Sequence, residues 1–175
     1  MHSVIRFLLI GVFLLPLSAW SDEATLRVAF VYNFIKFIEW PEKSQDEAIN
    51  LCSWQSTDDV DQALTQIKGK SVNTTQVIEL LYLRTAEDVS QLLPQCQMLY
   101  EPRHSKTFPL PEALPKGLLV VSDEPDADKM GVAISLKRNQ QGRIEFSVDE
   151  NQMNIAGVVV SSQLLKLAKN IKGGQ

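Results

Sequence analysis

Cys52 and Cys96 are the two residues best suited by type to covalent or redox chemistry, and the chain has no other cysteine. They lie far too distant in sequence for a C-x-x-C redox pair. An even, minimal count favours one bridge in an oxidising compartment; the alternative is two unpaired buried thiols. Gly69-Lys70-Ser71 has the tail of a phosphate-binding loop, but the first glycine of that motif would fall on Leu64. Asp126-Ala127-Asp128 followed by Gly131 resembles part of a calcium loop. Its fifth position would be Met130 and its closing acid Lys137, so the ligand set fails. His104 stands alone in the Pro-rich stretch, and one histidine cannot make a typical zinc site when both cysteines are paired. No G-x-S-x-G elbow offers a serine nucleophile. Asp58 and Asp59 read as ordinary acids at a helix start. These patterns imply no catalytic set, no metal and no cofactor, so the chain reads as a binding protein rather than an enzyme.

Charge and the N-terminus bound where such a protein works. Arg6 precedes an apolar run from Phe7 to Leu15, Pro16 breaks it, and Ala19-Trp20-Ser21 has the small-x-small form that signal peptidase reads. Residues 1–21 are therefore expected to be a signal peptide cleaved after Ser21. The apolar core is about 9 residues, against roughly 20 for a bilayer span. Loss of Arg6 with no accompanying acid would move the net charge from -4 to -5. An acidic chain without a basic stripe is a poor partner for nucleic acid. The remaining residues, 22–175, suffice for one domain.

The elements that must position any site follow from periodicity. Thr25 to Glu39 reads as a helix, with Leu26, Ala29, Phe30, Phe34, Phe37 and Ile38 as its main apolar stripe and Pro41 as its stop. Val28, Val31, Tyr32 and Ile35 make it apolar nearly all round, as for a helix central to a core or buried against another chain. Ala48–Trp54, Gln76–Leu83, a short strand opened by Cys96 and the apolar run Gly117–Ser122 read as strands. Asp58–Ile67 and a helix capped by Thr85 and running to Leu93 lie between them, and Asp88 makes an imperfect capping box with Thr85. Val132–Leu136 and Arg143–Val148 alternate around a turn in which Gly142 can take positive φ. Helices follow at Asp149–Ala156 and from Ser161 or Ser162 to the Gly173-Gly174 cap. The last of these would bury Leu164, Leu165, Leu167, Ala168 and Ile171. The fold class is α/β: a layered α/β/α-like single domain with a mixed sheet, a C-terminal hairpin and closing helices.

Among the aromatic residues of the first helix, Tyr32 and Trp40 lie off the main stripe and carry polar handles. They are the expected partner-binding or interface contacts. Asn33 would sit within the stripe and need a hydrogen-bond partner.

Two strings carry a family resemblance: V-A-F-V-Y-N-F-I-K-F-I-E-W-P over Val28–Pro41, and G-V-V-V-S-S-Q-L-L-K-L-A-K over Gly157–Lys169. With L-C-S-W at Leu51–Trp54, the Cys96 strand and L-L-V-V-S-D at Leu118–Asp123 in order between them, the chain resembles the YfiR-like family of exported bacterial proteins. The resemblance implies a periplasmic, often dimeric domain whose structural bridge matches Cys52 and Cys96. It further implies repression of an inner-membrane diguanylate cyclase through the cyclase's periplasmic sensor part, with an outer-membrane lipoprotein able to sequester the repressor. Cyclic di-GMP synthesis and biofilm formation would then be under its control. The chain departs from some relatives in lacking a second cysteine pair, and in its acidic, Pro-containing segment from Asp123 to Gly131. The alternative is a small-ligand-binding accessory protein for a periplasmic sensor or an outer-membrane transporter, with an aromatic pocket near Tyr32, Trp40 and Trp54.

Overall fold

Apolar residues run almost continuously along the central strands, so both faces of the sheet must be covered. In the computed structural model of the protein, which describes residues 19–41, 48–103, 105, 108, 111, 113–125 and 129–173, this is what they build. The expected leader residues 1–18, His104 and the Asp126–Asp128 stretch lie outside the described residues.

Helix α1 (Ala19–Phe37) leads into a two-residue strand, β1 (Ile38–Glu39). Next come β2 (Ile49–Trp54), α2 (Asp58–Thr65), β3 (Ile78–Leu83), α3 (Ala86–Leu92), β4 (Met98–Glu101) and β5 (Leu119–Asp123). The hairpin of β6 (Ile134–Arg138) and β7 (Ile144–Asp149) follows. After it lie α4 (Glu150–Ala156), β8 (Val159–Val160), α5 (Ser162–Leu167) and β9 (Asn170–Lys172). Seven strands form one sheet in the order β3-β2-β4-β5-β6-β7-β9. Pairing is parallel from β3 to β6, antiparallel between β6 and β7, and parallel again between β7 and β9. This is the mixed α/β sheet that the alternation of elements implies.

One sheet face carries Ile49, Leu51, Met98, Tyr100, Leu119, Val121, Ile134 and Leu136, which pack with the inner sides of α1 and α2. The other carries Cys52, Trp54, Leu83, Leu99 and Val120, which pack with Leu93, Cys96, Phe108 and Leu118. The Cys52–Cys96 disulfide belongs to this second cluster and joins β2 to the turn before β4, with Cα atoms 5.8 Å apart. Thr85 and Asp88 do form a reciprocal capping box at the start of α3: the Asp88 amide donates to Thr85 Oγ1 at 3.1 Å, and the Thr85 amide to Asp88 Oδ2 at 2.9 Å. Gly142 takes its expected positive φ of 79° in the hairpin turn.

Four expectations are corrected. Helix α1 starts at Ala19 rather than Thr25, so the expected cleavage point at Ser21 falls within its first turn. It ends at Phe37, two residues early, because Ile38 and Glu39 pair antiparallel with Val160 and Val159. The last helix stops at Leu167; Asn170–Lys172 pairs instead with β7, and the Lys169 amide donates to the Phe146 carbonyl at 2.8 Å. An unsatisfied sheet edge outcompetes the helical periodicity of this lysine-rich segment, as tertiary pairing regularly overrides local propensity. Leu167 and Ile171, assigned to a buried face, are consequently exposed. Lastly, Cys96 precedes its strand rather than opening it, because Leu93–Gln95 forms a short 3₁₀ turn and β4 starts at Met98.

Candidate functional site: the first helix and its charged latch

A helix that is apolar nearly all round has no unique orientation by hydrophobicity alone, so something else must choose which side faces the core. In α1 the buried residues are Ala24, Arg27, Val28, Val31, Phe34 and Ile35, at three- and four-residue spacing. Leu26, Ala29 and Asn33 face outward, with Phe30 and Phe37 only partly covered. Much of the stripe expected to be core is therefore the exposed side, and Asn33 needs no buried partner. The residue that decides the rotation is Arg27, which a hydrophobic count would place outside and which is 3% exposed.

Arg27 points at the carboxyl ends of the parallel strands. Its Nη2 donates to Glu23 Oε1 at 2.9 Å and to Glu124 Oε1 at 3.1 Å, and its Nε donates to the same Glu23 oxygen at 3.0 Å. Its Nη1 lies 3.4 Å from Asp123 Oδ1. Tyr100, at the centre of β4, donates its hydroxyl proton to Asp123 Oδ2 at 2.5 Å, and the Arg103 amide reaches the same oxygen at 3.3 Å. Arg138 and Arg103 close the rim by pairing with Glu23. Three carboxylates thus face three guanidinium groups. Beside them Lys129 Nζ holds both oxygens of buried Glu101, at 2.7 and 2.6 Å.

Burial pushes the Asp123 carboxyl above its ordinary range, against the pull of Tyr100 and Arg27. Burial, and then the Asp123 charge, push the Tyr100 phenol well above its own. Glu23 moves the opposite way: its partial burial is outweighed by Arg27, Arg138 and Arg103, which hold it below the usual carboxylate range. A phenol so raised keeps its proton and is a hydrogen-bond donor at neutral pH, not a base or nucleophile. The charges of the cluster are directed at one another, and what it does chemically is clamp the second and third turns of α1 to β5 and β6.

The two aromatic residues singled out in the sequence have different fates. Tyr32 is partly buried; its hydroxyl donates to the Ser71 carbonyl at 3.2 Å, and Lys36 and Lys70 each place Nζ 5.5 Å from its ring centre. Trp40 is 7% exposed and its indole N–H donates to the Gly117 carbonyl at 2.8 Å, so within the chain it is a core residue rather than a surface contact. Trp54 lies in the second cluster, packed edge-on against Phe108 with ring centres 5.0 Å apart. The sheet separates it from Tyr32 and Trp40, and the aromatic pocket imagined for a small ligand does not form. The latch residues Glu23, Arg27, Tyr100, Asp123, Glu124 and Arg138 escaped the sequence reading. Their signal was present: an arginine in register with Ala24, Val31 and Phe34, and an aspartate closing the apolar string L-L-V-V-S-D.

Comparison with known proteins adds a family. The model for DUF4154, described as YfiR/HmsC-like, matches residues 24–169. The chain belongs to the YfiR/HmsC-like family. Among the curated proteins none matches it. The matched stretch of this YfiR/HmsC-like chain begins at Ala24 and ends at Lys169, so it takes in the buried residues of α1 from Ala24 onward, the latch apart from Glu23, the disulfide and α5. No helix among the described residues is long and apolar enough to cross a membrane, and among them no group of three or more His, Cys, Asp or Glu could hold a metal ion.

Proposed function

We propose that this protein is an exported periplasmic regulator that represses an inner-membrane diguanylate cyclase by engaging its periplasmic part, and so limits cyclic di-GMP and biofilm formation. The family match over residues 24–169 carries this reading. The outward face of α1 supports it: Leu26 is 47% exposed in a helix whose opposite side is fixed by a buried ion-pair cluster. A rigid helix presenting apolar side chains is a recurrent way to fill a partner's groove. An outer-membrane lipoprotein that takes the same protein away from the cyclase completes the proposed circuit. Repression by binding needs no bond made or broken, which fits charges committed to the latch.

The experiment is deletion of the gene and measurement of cellular cyclic di-GMP. The level should rise, and it should fall again when the intact gene is restored. An unchanged level across growth conditions would remove the cyclase from the proposal. Export is tested separately, by the N-terminal mass of the periplasmic chain, which should start at Asp22 if cleavage follows Ser21.

A further inference from the structure

On the face of the sheet opposite α1, the apolar covering stops part-way across. Cys52, Leu99 and Val120, on β2, β4 and β5, are buried there in the second cluster. Ser122 and Ser135 are in register, so the same face continues onto β6, and from there it is polar. Ser135 lies beside Ser147, and Ser147 beside Asn170, so one row of small hydrogen-bonding side chains crosses β6, β7 and β9. This row floors a trough of about 320 Å³, with Lys137 and Lys172 along it and Lys129 on its wall. Strand β9 runs antiparallel to β6, so Lys137 and Lys172 stand on opposite sides of the row. The volume is at the small end of small-molecule sites, and the floor offers hydrogen bonds where most such sites offer apolar surface.

The flanking lysines stand beside acids that are engaged elsewhere. Glu145, in register with Lys137, accepts from Asn139 Nδ2 at 2.6 Å. Asp149, in register with Lys172, caps α4 by accepting from the Asn151 and Gln152 amides at 3.0 and 3.3 Å. Neither lysine has an ion pair among the described residues, and the Ser135 hydroxyl has no hydrogen-bond partner among them. Lys129 differs: Glu101 holds its Nζ through both carboxylate oxygens, which fixes its place on the wall and compensates its charge. The charge around the trough is also unlike that of the whole chain. Residues 131–175 hold six Lys or Arg against three Asp or Glu, although the net charge of the protein is -4. A concave site in a locally positive region draws anions.

We propose that this trough binds a small phosphate ester that also carries hydroxyl groups. Two ammonium groups approaching from opposite sides suit a tetrahedral phosphate, whose oxygens point both ways, whereas flat carboxylates are better matched by the planar fork of arginine. Serine hydroxyls and the Asn170 amide can each donate and accept, as ligand hydroxyls require. The row spans two strand spacings, roughly 10 Å, room for a phosphate and a short polyol side by side. That chemistry occurs free in solution as a sugar or polyol phosphate, and also in the headgroup of phosphatidylglycerol. The trough and the outward face of α1 are on different sides of the molecule, and this inference does not rest on the proposed repression.

The test applies two probes to the purified full chain. Glycerol 3-phosphate is followed by titration calorimetry. Vesicles of phosphatidylglycerol and phosphatidylcholine are followed by co-sedimentation, with pure phosphatidylcholine as the blank. Wild-type protein should bind at least one probe saturably. Combining Lys137→Gln with Lys172→Gln should weaken that binding about tenfold or more. Ser135→Val keeps every charge and removes a floor hydroxyl, and it should weaken binding as well. Combining Lys166→Gln with Lys169→Gln removes the same charge outside the trough and should bind like wild type. Both lysine pairs should melt with the wild-type chain when no probe is present, which separates lost binding from lost folding. Binding of glycerol 3-phosphate without the vesicles assigns a free ester, and binding of the vesicles alone assigns the lipid headgroup. The proposal is overturned if neither probe binds, or if the Lys166 and Lys169 pair loses as much binding as the Lys137 and Lys172 pair.

Discussion

At the scale of single residues, the latch makes opposing demands on pH. Glu23 has a folded-state pKa below its ordinary 4.5, so its stabilisation is complete above that pH and is lost as pH falls through the lower folded value. Asp123 has a raised pKa, so its ionisation costs stability at neutral pH, and that cost is relieved as pH falls through the raised value. Glu23→Gln should therefore cost about 1 kcal/mol at neutral pH, a deficit that closes below pH 4.5 in urea titrations at stepped pH. Arg27→Met is more severe, because it leaves Asp123 buried without its counter-charge; about 3–5 kcal/mol should be lost in the same assay. Trp40→Phe keeps the ring packing but orphans the Gly117 carbonyl, and should cost about 1–3 kcal/mol. Sequence reasoning passed over Arg27 because the binary rule of apolar inside and charged outside holds at most positions and fails where a charge finds an opposite charge across the fold. Glu124 and Asp123 are 96 and more residues away from Arg27 along the chain, and no local pattern announces a pairing at that range.

Elements were more legible than their faces. The strands over Ile49–Trp54, Ile78–Leu83 and Leu119–Asp123, the hairpin, the Thr85 cap and the Asp149 start of α4 all stand close to where periodicity and capping chemistry put them. What periodicity could not provide was the rotation of α1, whose apolar residues occupy every side, or the end of the last helix, where an edge seven strands into the fold competes for Asn170–Lys172. The rotation has a consequence that separates surface from core. Leu26→Glu should change stability by no more than about 0.5 kcal/mol while abolishing repression, read as cyclic di-GMP in a strain carrying the variant. Val31→Glu, one turn further along and fully buried, should fail to accumulate as folded protein. If the Leu26 variant represses normally, the partner surface lies elsewhere on the molecule.

For the whole molecule, the disulfide and the order of the strands set how the fold is reached. The bridge spans 44 positions of sequence, and its loss in Cys52→Ser should lower stability by about 4 kcal/mol in a chain-entropy picture, measurable as a fall in melting temperature under oxidising conditions that vanishes in reductant. From β4 onward, neighbouring strands of the sheet follow chain order apart from the interposed β8, so each finds its neighbour already made. Helix α1 is the exception. It is synthesised first, yet its inner face needs Tyr100 and Asp123 for Arg27, and Phe146 for Phe34, whose ring centres lie 5.0 Å apart. At roughly 5–20 residues per second, synthesis delivers Phe146 on the order of ten seconds after α1. For that interval the most apolar helix of the protein waits with both its core side and its partner side uncovered, and the chain depends on whatever holds such a segment until its sheet arrives.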